Sequence, residues 1–355
     1  MDIVQYESPQ VQVFIRSGHQ FLDKVRTFLA NAVREGSLQQ ERARAHFKEI
    51  LHIILFYGQI YRLKIEPEEI LQESQNELSA RYPDVFERCR THLPTRPPFT
   101  VLLDAIVDVV GRNAEVVLQH LLLQVNDMEV TNADQNPCRN IFVSAVVTFC
   151  YFFDEDTQRQ TDNYFGASVS CGDVTQRKIM IDILCCQKWH QDISWAACIG
   201  KVLNQNAFRF PPHVFSMAFH IYTQGQRTQA NQRVDHDLVR LGNNPLFVIA
   251  RNLMQFGSLA PRGPCQKCFT VFPNIIFHLL PPEGEHPDWE YGNCAEYESL
   301  SQLLYSDPQI AMKLQPNKFR IGRDQLMNEK YERLQENLEE LEFRFGPIIS
   351  YYSPL

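Results

Sequence analysis

No stretch of this sequence reaches the roughly 18 uninterrupted apolar residues that a membrane-spanning helix requires, so no membrane partner is expected. The opening segment, MDIVQYESPQ, lacks the basic-then-apolar pattern of a secretory signal, and a cytoplasmic location is expected. A dense lysine and arginine cluster is missing too: 34 basic residues face 42 acidic ones, a formal net charge of −8. Proteins that bind duplex nucleic acid draw most of their affinity from neutralised phosphates, so no duplex partner is expected. The 15 glycines are scattered singly, which excludes a phosphate-cradling glycine-rich loop. There is no internal repeat and no low-complexity tract.

The chain is nonetheless well supplied with core-forming material. At 355 residues, 44% hydrophobic and 21% charged, it is long and apolar enough for one large or two smaller globular domains. Its ten cysteines are too dilute for a secreted disulfide scaffold. Cys150 in VTFCYFF, and Cys185 and Cys186 in IDILCCQKW, sit in apolar runs where a reduced cysteine packs as a small hydrophobe. In a reducing compartment a Cys-x-x-Cys pair then points to metal or redox chemistry.

Periodicity divides the chain at about residue 136. Before it, residues 13–36 place Leu22, Val25, Leu29 and Val33 on one helical face, with Gly36 as a left-handed stop. Ser37 with Gln40 three residues on reads as a capping box for the next helix. Pro67 opens a third helix over 67–82, and 101–125 resume the helical pattern. After residue 136 the pattern changes. Residues 140–153 and 164–170, rich in β-branched and aromatic side chains, read as a hairpin. Residues 194–206 and 235–257 read as helix, 213–224 as a strand, and 274–280 as a short buried strand. A closing helix over 324–346 carries Leu334, Leu338, Leu341 and Phe345 on one stripe. The expected architecture is an all-α N-terminal domain (1–136) followed by a mixed α/β domain (137–355).

The chemistry concentrates in residues 263–304. Cys265 and Cys268 lie two residues apart at what reads as a helix start, where two thiolates can converge on a tetrahedral ion. Cys294, 26 positions after Cys268, offers a third ligand. Three protein ligands with an open fourth position suit a catalytic zinc, whereas a structural zinc closes that position with a side chain such as His278 or His286. Glu296, two residues past Cys294, is placed to take a proton from a metal-bound water. The same residues also allow plainer readings, a closed structural zinc or no metal at all, with Glu296 merely a favourable charge in a first helical turn.

Pro264-Cys265-Gln266-Lys267-Cys268 and Cys294-Ala295-Glu296, each entering a helix, resemble the two signatures of the zinc-dependent cytidine deaminase superfamily. The resemblance implies that Cys265, Cys268 and Cys294 hold Zn2+ and that Glu296 shuttles protons during hydrolytic deamination. The hairpin over 141–170 is similar to the opening hairpin of those enzymes, which implies a substrate contact at Gly166-Ala167-Ser168, here Ser168. The order of the two motifs is reversed relative to the family, and the first third of the chain has no counterpart in it. The implied ligand is a small nucleoside or nucleotide, or a short single-stranded nucleic acid. The competing reading is a non-catalytic cytosolic protein of interaction or host-defence type, with a structural or degenerate zinc centre and a protein partner docked on the helical domain.

Other candidates carry less. Ser168 and Ser170 lack the Gly-x-Ser-x-Gly surroundings of a nucleophile elbow. His213 and His220 read as packed or surface histidines, and Cys185-Cys186 beside Trp189 and His190 as core.

Overall fold

The computed structural model describes residues 8–126, 128–132, 136–222, 259–281 and 289–354. Its N-terminal portion is helical: α1 (Pro9–Arg34), α2 (Gln40–Gln59), α3 (Pro67–Leu71), α4 (Gln75–Arg81), α5 (Pro83–Arg88), α6 (Pro98–Val110) and α7 (Ala114–Val125). The expected stop after α1 is present. Gly36 has φ +74°, its N–H donates to Val33 O and the Ser37 N–H to Ala32 O, the paired bonds of a Schellman motif. Ser37 caps nothing: its hydroxyl turns back to the Ala32 carbonyl, and Gln39 holds the N-cap position of α2 without a side-chain bond. The helix expected over 67–82 is interrupted at Gln72, and the pattern over 101–125 is two helices broken at Gly111, the second capped by the Asn113 side chain on Val116 N.

Among the described residues there are twelve strands, several only two residues long. The principal sheet is built from β4 (Val146–Asp154), β5 (Arg159–Gln160), β6 (Tyr164–Ala167), β8 (Val214–Ile221), β9 (Leu259–Arg262) and β10 (Ile275–Phe277). Strands β4 and β6 form the expected antiparallel hairpin, with Val147 opposite Ala167 and Cys150 opposite Tyr164. The first strand begins at Val146 rather than near 140, because Asn140 is fully buried and binds α1 through Ser17 O. β8 pairs antiparallel with the length of β4, antiparallel with β9 and parallel with β10. β10 is a sheet edge with Ile276 40% exposed, so the run expected as a buried strand is only half covered. Three small pairs complete the strands: β1 (His92–Leu93) with β12 (Ser350–Tyr351), β2 (Glu129–Thr131) with β3 (Pro137–Arg139), and β7 (Phe208–Arg209) with β11 (Gln315–Pro316).

Helices α8 (Val174–Ile183), α9 (Gln191–Leu203), α10 (Gln266–Val271), α11 (Ala295–Ser306), α12 (Pro308–Met312) and α13 (Arg323–Glu340) accompany the sheet. The expected mixed sheet with helices is therefore present in the C-terminal part, behind a helical N-terminal part whose β1 and β2 pair with β12 and β3. Along α13 the buried positions are Leu326, Lys330, Leu334 and Leu338, an i, i+4 stripe, and the helix ends at Glu340, before Leu341 and Phe345. Lys330 and Arg333 from α13 both bind the fully buried Asp182 of α8, Lys330 Nζ at 3.1 Å and Arg333 Nε at 2.8 Å. The apolar core runs through both portions: Phe142 stacks edge-on against Phe14 and Phe21 of α1 and lies beside Tyr57 of α2. No described helix is long and apolar enough to cross a membrane. The helix expected over 235–257 lies outside the described residues.

The contact that positions the site is that of α11 with the hairpin. A Cβ on Gly166 would stand 2.4 Å from Ala295 O and 2.5 Å from Ser299 N, so only glycine lets β6 approach the first turns of α11 so closely. Thr148 of β4 bonds Ser299 across the same interface at 2.9 Å.

Candidate metal centre

Cys265 is the N-cap of α10 and Cys294 the N-cap of α11, both with extended backbone (ψ 158° and 150°), while Cys268 sits one turn into α10. Two helix starts thus face each other across three sulfurs. All three lie within 4.8 Å of one another, with Cys265 and Cys294 Sγ 3.4 Å apart, and all are free thiols. A tetrahedral zinc with bonds of about 2.3 Å would hold its sulfurs about 3.8 Å apart, so the donor set and spacing fit a metal ion.

The electrostatics point the same way. Hydrogen bonds from Cys268 and Cys294 hold the Cys265 thiol down at about 3. Burial, and then the Cys265 thiolate, push Cys268 up, and contact with Cys265 pushes Cys294 up. Cys265 is thus favoured as the thiolate of the three, and a bound cation would favour ionisation of the other two. The Cys265 sulfur also accepts the Cys268 N–H at 3.4 Å.

Glu296 is 3% exposed, in the first turn of α11, and its Oε2 accepts from Cys268 Sγ at 3.8 Å. Burial, with the Cys265 thiolate adding to it, raises its carboxyl to about 7.

Cys265, Cys294 and Glu296 open onto a cavity of about 400 Å³, within the range of small-ligand sites. Ser168 lines it, buried, with its Oγ accepting the Val146 N–H at 3.2 Å, so the hairpin end does reach the same space as the metal cluster. His278 does not join the cluster; it sits just past β10 with its ring beside Phe215. His286 lies outside the described residues. Among the described residues no fourth Cys, His, Asp or Glu completes the group. His213 is away from the cavity, 3.3 Å from Glu155, and Cys185 is core as expected.

Sequence reasoning missed most of the cavity wall. His220, read as packed or surface, lines the cavity, as do Arg139, Arg177, Arg262, Trp289 and Asn293. Two signals were available: Arg262 stands three residues before Cys265, and Asn293 immediately before Cys294. Arg139 and Arg177 come from β3 and α8 and carry no such signal.

Compared with protein-family models, with curated proteins and with solved structures, the chain has no match in any of the three. The likeness to deaminases therefore rests on the sequence motifs, and the structure adds three cysteines within metal-binding distance of one another.

Proposed function

We propose that this chain is a zinc-dependent hydrolytic deaminase of a nucleoside, nucleotide or short single-stranded nucleic acid, its helical residues 1–136 backing a site-bearing unit of residues 137–355. The observation that carries the reading is the Glu296 carboxylate, buried against Cys268 in the wall of a ligand-sized cavity. A staple has no use for an acid there, because burying a carboxylate costs several kcal/mol unless it is paired or put to work.

In this reading Cys265, Cys268 and Cys294 hold Zn2+, which when bound supplies the Lewis acidity that activates water. Hydrolytic deamination breaks the bond to the exocyclic amino nitrogen, forms a C=O bond to the oxygen of water, and releases ammonia. Glu296 accepts a proton from the attacking water and delivers it to the ring nitrogen, then carries the second proton to the departing amine. Ser168, which lines the cavity, touches the substrate from the end of the hairpin.

Glu296→Gln separates this reading from a structural zinc. The variant should keep its zinc content and melting temperature while ammonia release falls at least about 100-fold, the lower end for loss of a general acid/base. Unchanged turnover in Glu296→Gln, or ammonia release from no nucleoside, nucleotide or oligonucleotide, would sink the deaminase and favour the non-catalytic interaction protein. Zinc retained after each of Cys265, Cys268 and Cys294 is replaced by serine would overturn both.

A further inference from the structure

The cavity wall holds more positive charge than the metal chemistry requires. Arg139, Arg177 and Arg262 all line it, and none of the three has a carboxylate within 4 Å among the described residues. Arg139 donates to the Ile221 carbonyl and Arg262 approaches His220 Nδ1 at 3.4 Å, so both guanidiniums gather at the end of β8. Arg177 reaches in from α8, its guanidinium 4.9 Å from the Trp289 ring, and its buried Nε has no hydrogen-bond partner among the described residues. The buried Asn293 Oδ1 in the same wall likewise has none among the described residues.

Buried polar groups left unpaired in this way are costly unless a ligand satisfies them. Glu296 is the one acidic residue lining the cavity among the described residues. Glu296 and Glu129 lie within electrostatic reach of Arg262 and Arg139 but not in ion-pair contact, so the guanidiniums present planar, paired donors that match a phosphate. Trp289, 40% exposed, and the Asn293 amide supply an aromatic face and a hydrogen-bonding group suited to a base.

We propose that the cavity takes a phosphorylated nucleotide in preference to the free nucleoside, its phosphate held by Arg139, Arg177 and Arg262. The nucleotide identity rests on the deaminase reading above; the preference for an anion rests on the arginines alone. A cavity of about 400 Å³ fits a single nucleotide, so a mononucleotide is the expected ligand and a longer strand would have to leave the site at one end.

The test is equilibrium binding to zinc-supplied Glu296→Gln protein, which cannot turn substrate over in that reading. The probes are nucleosides, their 5′-monophosphates, short oligonucleotides and inorganic phosphate. One satisfied phosphate is worth about 10- to 100-fold, so a monophosphate should bind tighter than its nucleoside by at least that factor. Inorganic phosphate should compete with it, and Arg177→Gln or Arg262→Gln should each remove most of the advantage without weakening the nucleoside. In the unsubstituted chain, raising salt should weaken the monophosphate and spare the nucleoside, a readout that needs no folded variant. Equal affinity for nucleoside and monophosphate, or a preference untouched by salt and by both substitutions, would overturn the proposal. Tighter binding of oligonucleotides than of the monophosphate would replace the mononucleotide by a strand. Nucleoside turnover without phosphate preference sinks this proposal and leaves the deaminase; phosphate preference without ammonia release does the reverse.

Discussion

Arg96, in the loop before α6, is 8% exposed and meets two acids: Glu49 of α2, through Nε at 2.8 Å and Nη2 at 2.9 Å, and Asp104 of α6. Arg139, Arg177 and Arg262, around the cavity, meet no carboxylate within 4 Å among the described residues. Arg96 is taken out of water, which is tolerated only where something else satisfies it, whereas the three cavity arginines are partly buried and keep some access to solvent. In the helical part the satisfaction is built in, since burial pushes Glu49 up but Arg96 holds it below its ordinary value. At the cavity no acid is in ion-pair contact with the three arginines among the described residues, and the proposal above fills that place with a bound phosphate. The difference teaches how to tell a structural charge from a binding one in a chain whose overall composition favours neither.

The comparison can be broken most decisively at Glu49. Glu49→Ala leaves Arg96 buried with Asp104 alone, and the expected loss is about 3–5 kcal/mol in denaturant unfolding. A loss under about 1 kcal/mol would mean that buried guanidiniums are tolerated here regardless of pairing, and the cavity arginines would then say nothing about a ligand.

A smaller effect sharpens the comparison from the neutral side. His52 is fully buried, its ring stacked at 4.0 Å on Tyr352, and burial holds it neutral down to about 3, far below the ordinary 6.5. The unfolded chain binds that proton near 6.5 and the folded chain only near 3. The unfolded state therefore holds more protons between these values, and stability is lost as pH falls through that window, at up to about 1.4 kcal/mol per pH unit. His52→Phe should flatten the acid limb of the stability curve relative to the parent. An acid limb of unchanged slope would show that the helical core hydrates or pairs this ring instead of excluding its charge.

The smallest expected effect is at the cavity itself. Arg177→Gln and Arg262→Gln should each shift unfolding free energy by no more than about 0.5 kcal/mol, because no described ion pair is lost. Destabilisation of about 2 kcal/mol or more would make these arginines structural and erase the contrast with Arg96.

Much of the fold was legible because it depends on local pattern. The helical face of α1, its stop at Gly36, the β4–β6 hairpin and the mixed character after residue 136 all follow from period and turn chemistry, which neighbouring residues fix. Boundaries were less legible where a distant contact decides. Ser37 bonds back to Ala32 instead of capping α2, and Asn140 is claimed by α1 before β4 can begin. The helix α8 and its buried Asp182 went unread because Lys330 and Arg333, which neutralise that carboxylate, lie about 150 residues away.

The same division holds for the site. Sequence alone determined the thiols and the acid, since Cys265, Cys268, Cys294 and Glu296 fall within 32 residues and each pair opens a helix. Only the tertiary structure decided that the two helix starts meet, which requires β6 to approach α11 at Gly166, and that His278 stays apart from the sulfurs. It alone brought Arg139, Arg177 and Arg262 to one cavity from three separate elements. The physical reason is range. Motif spacing reflects the short reach of a helical turn, whereas the charge facing a ligand is the sum over every element that folds around it.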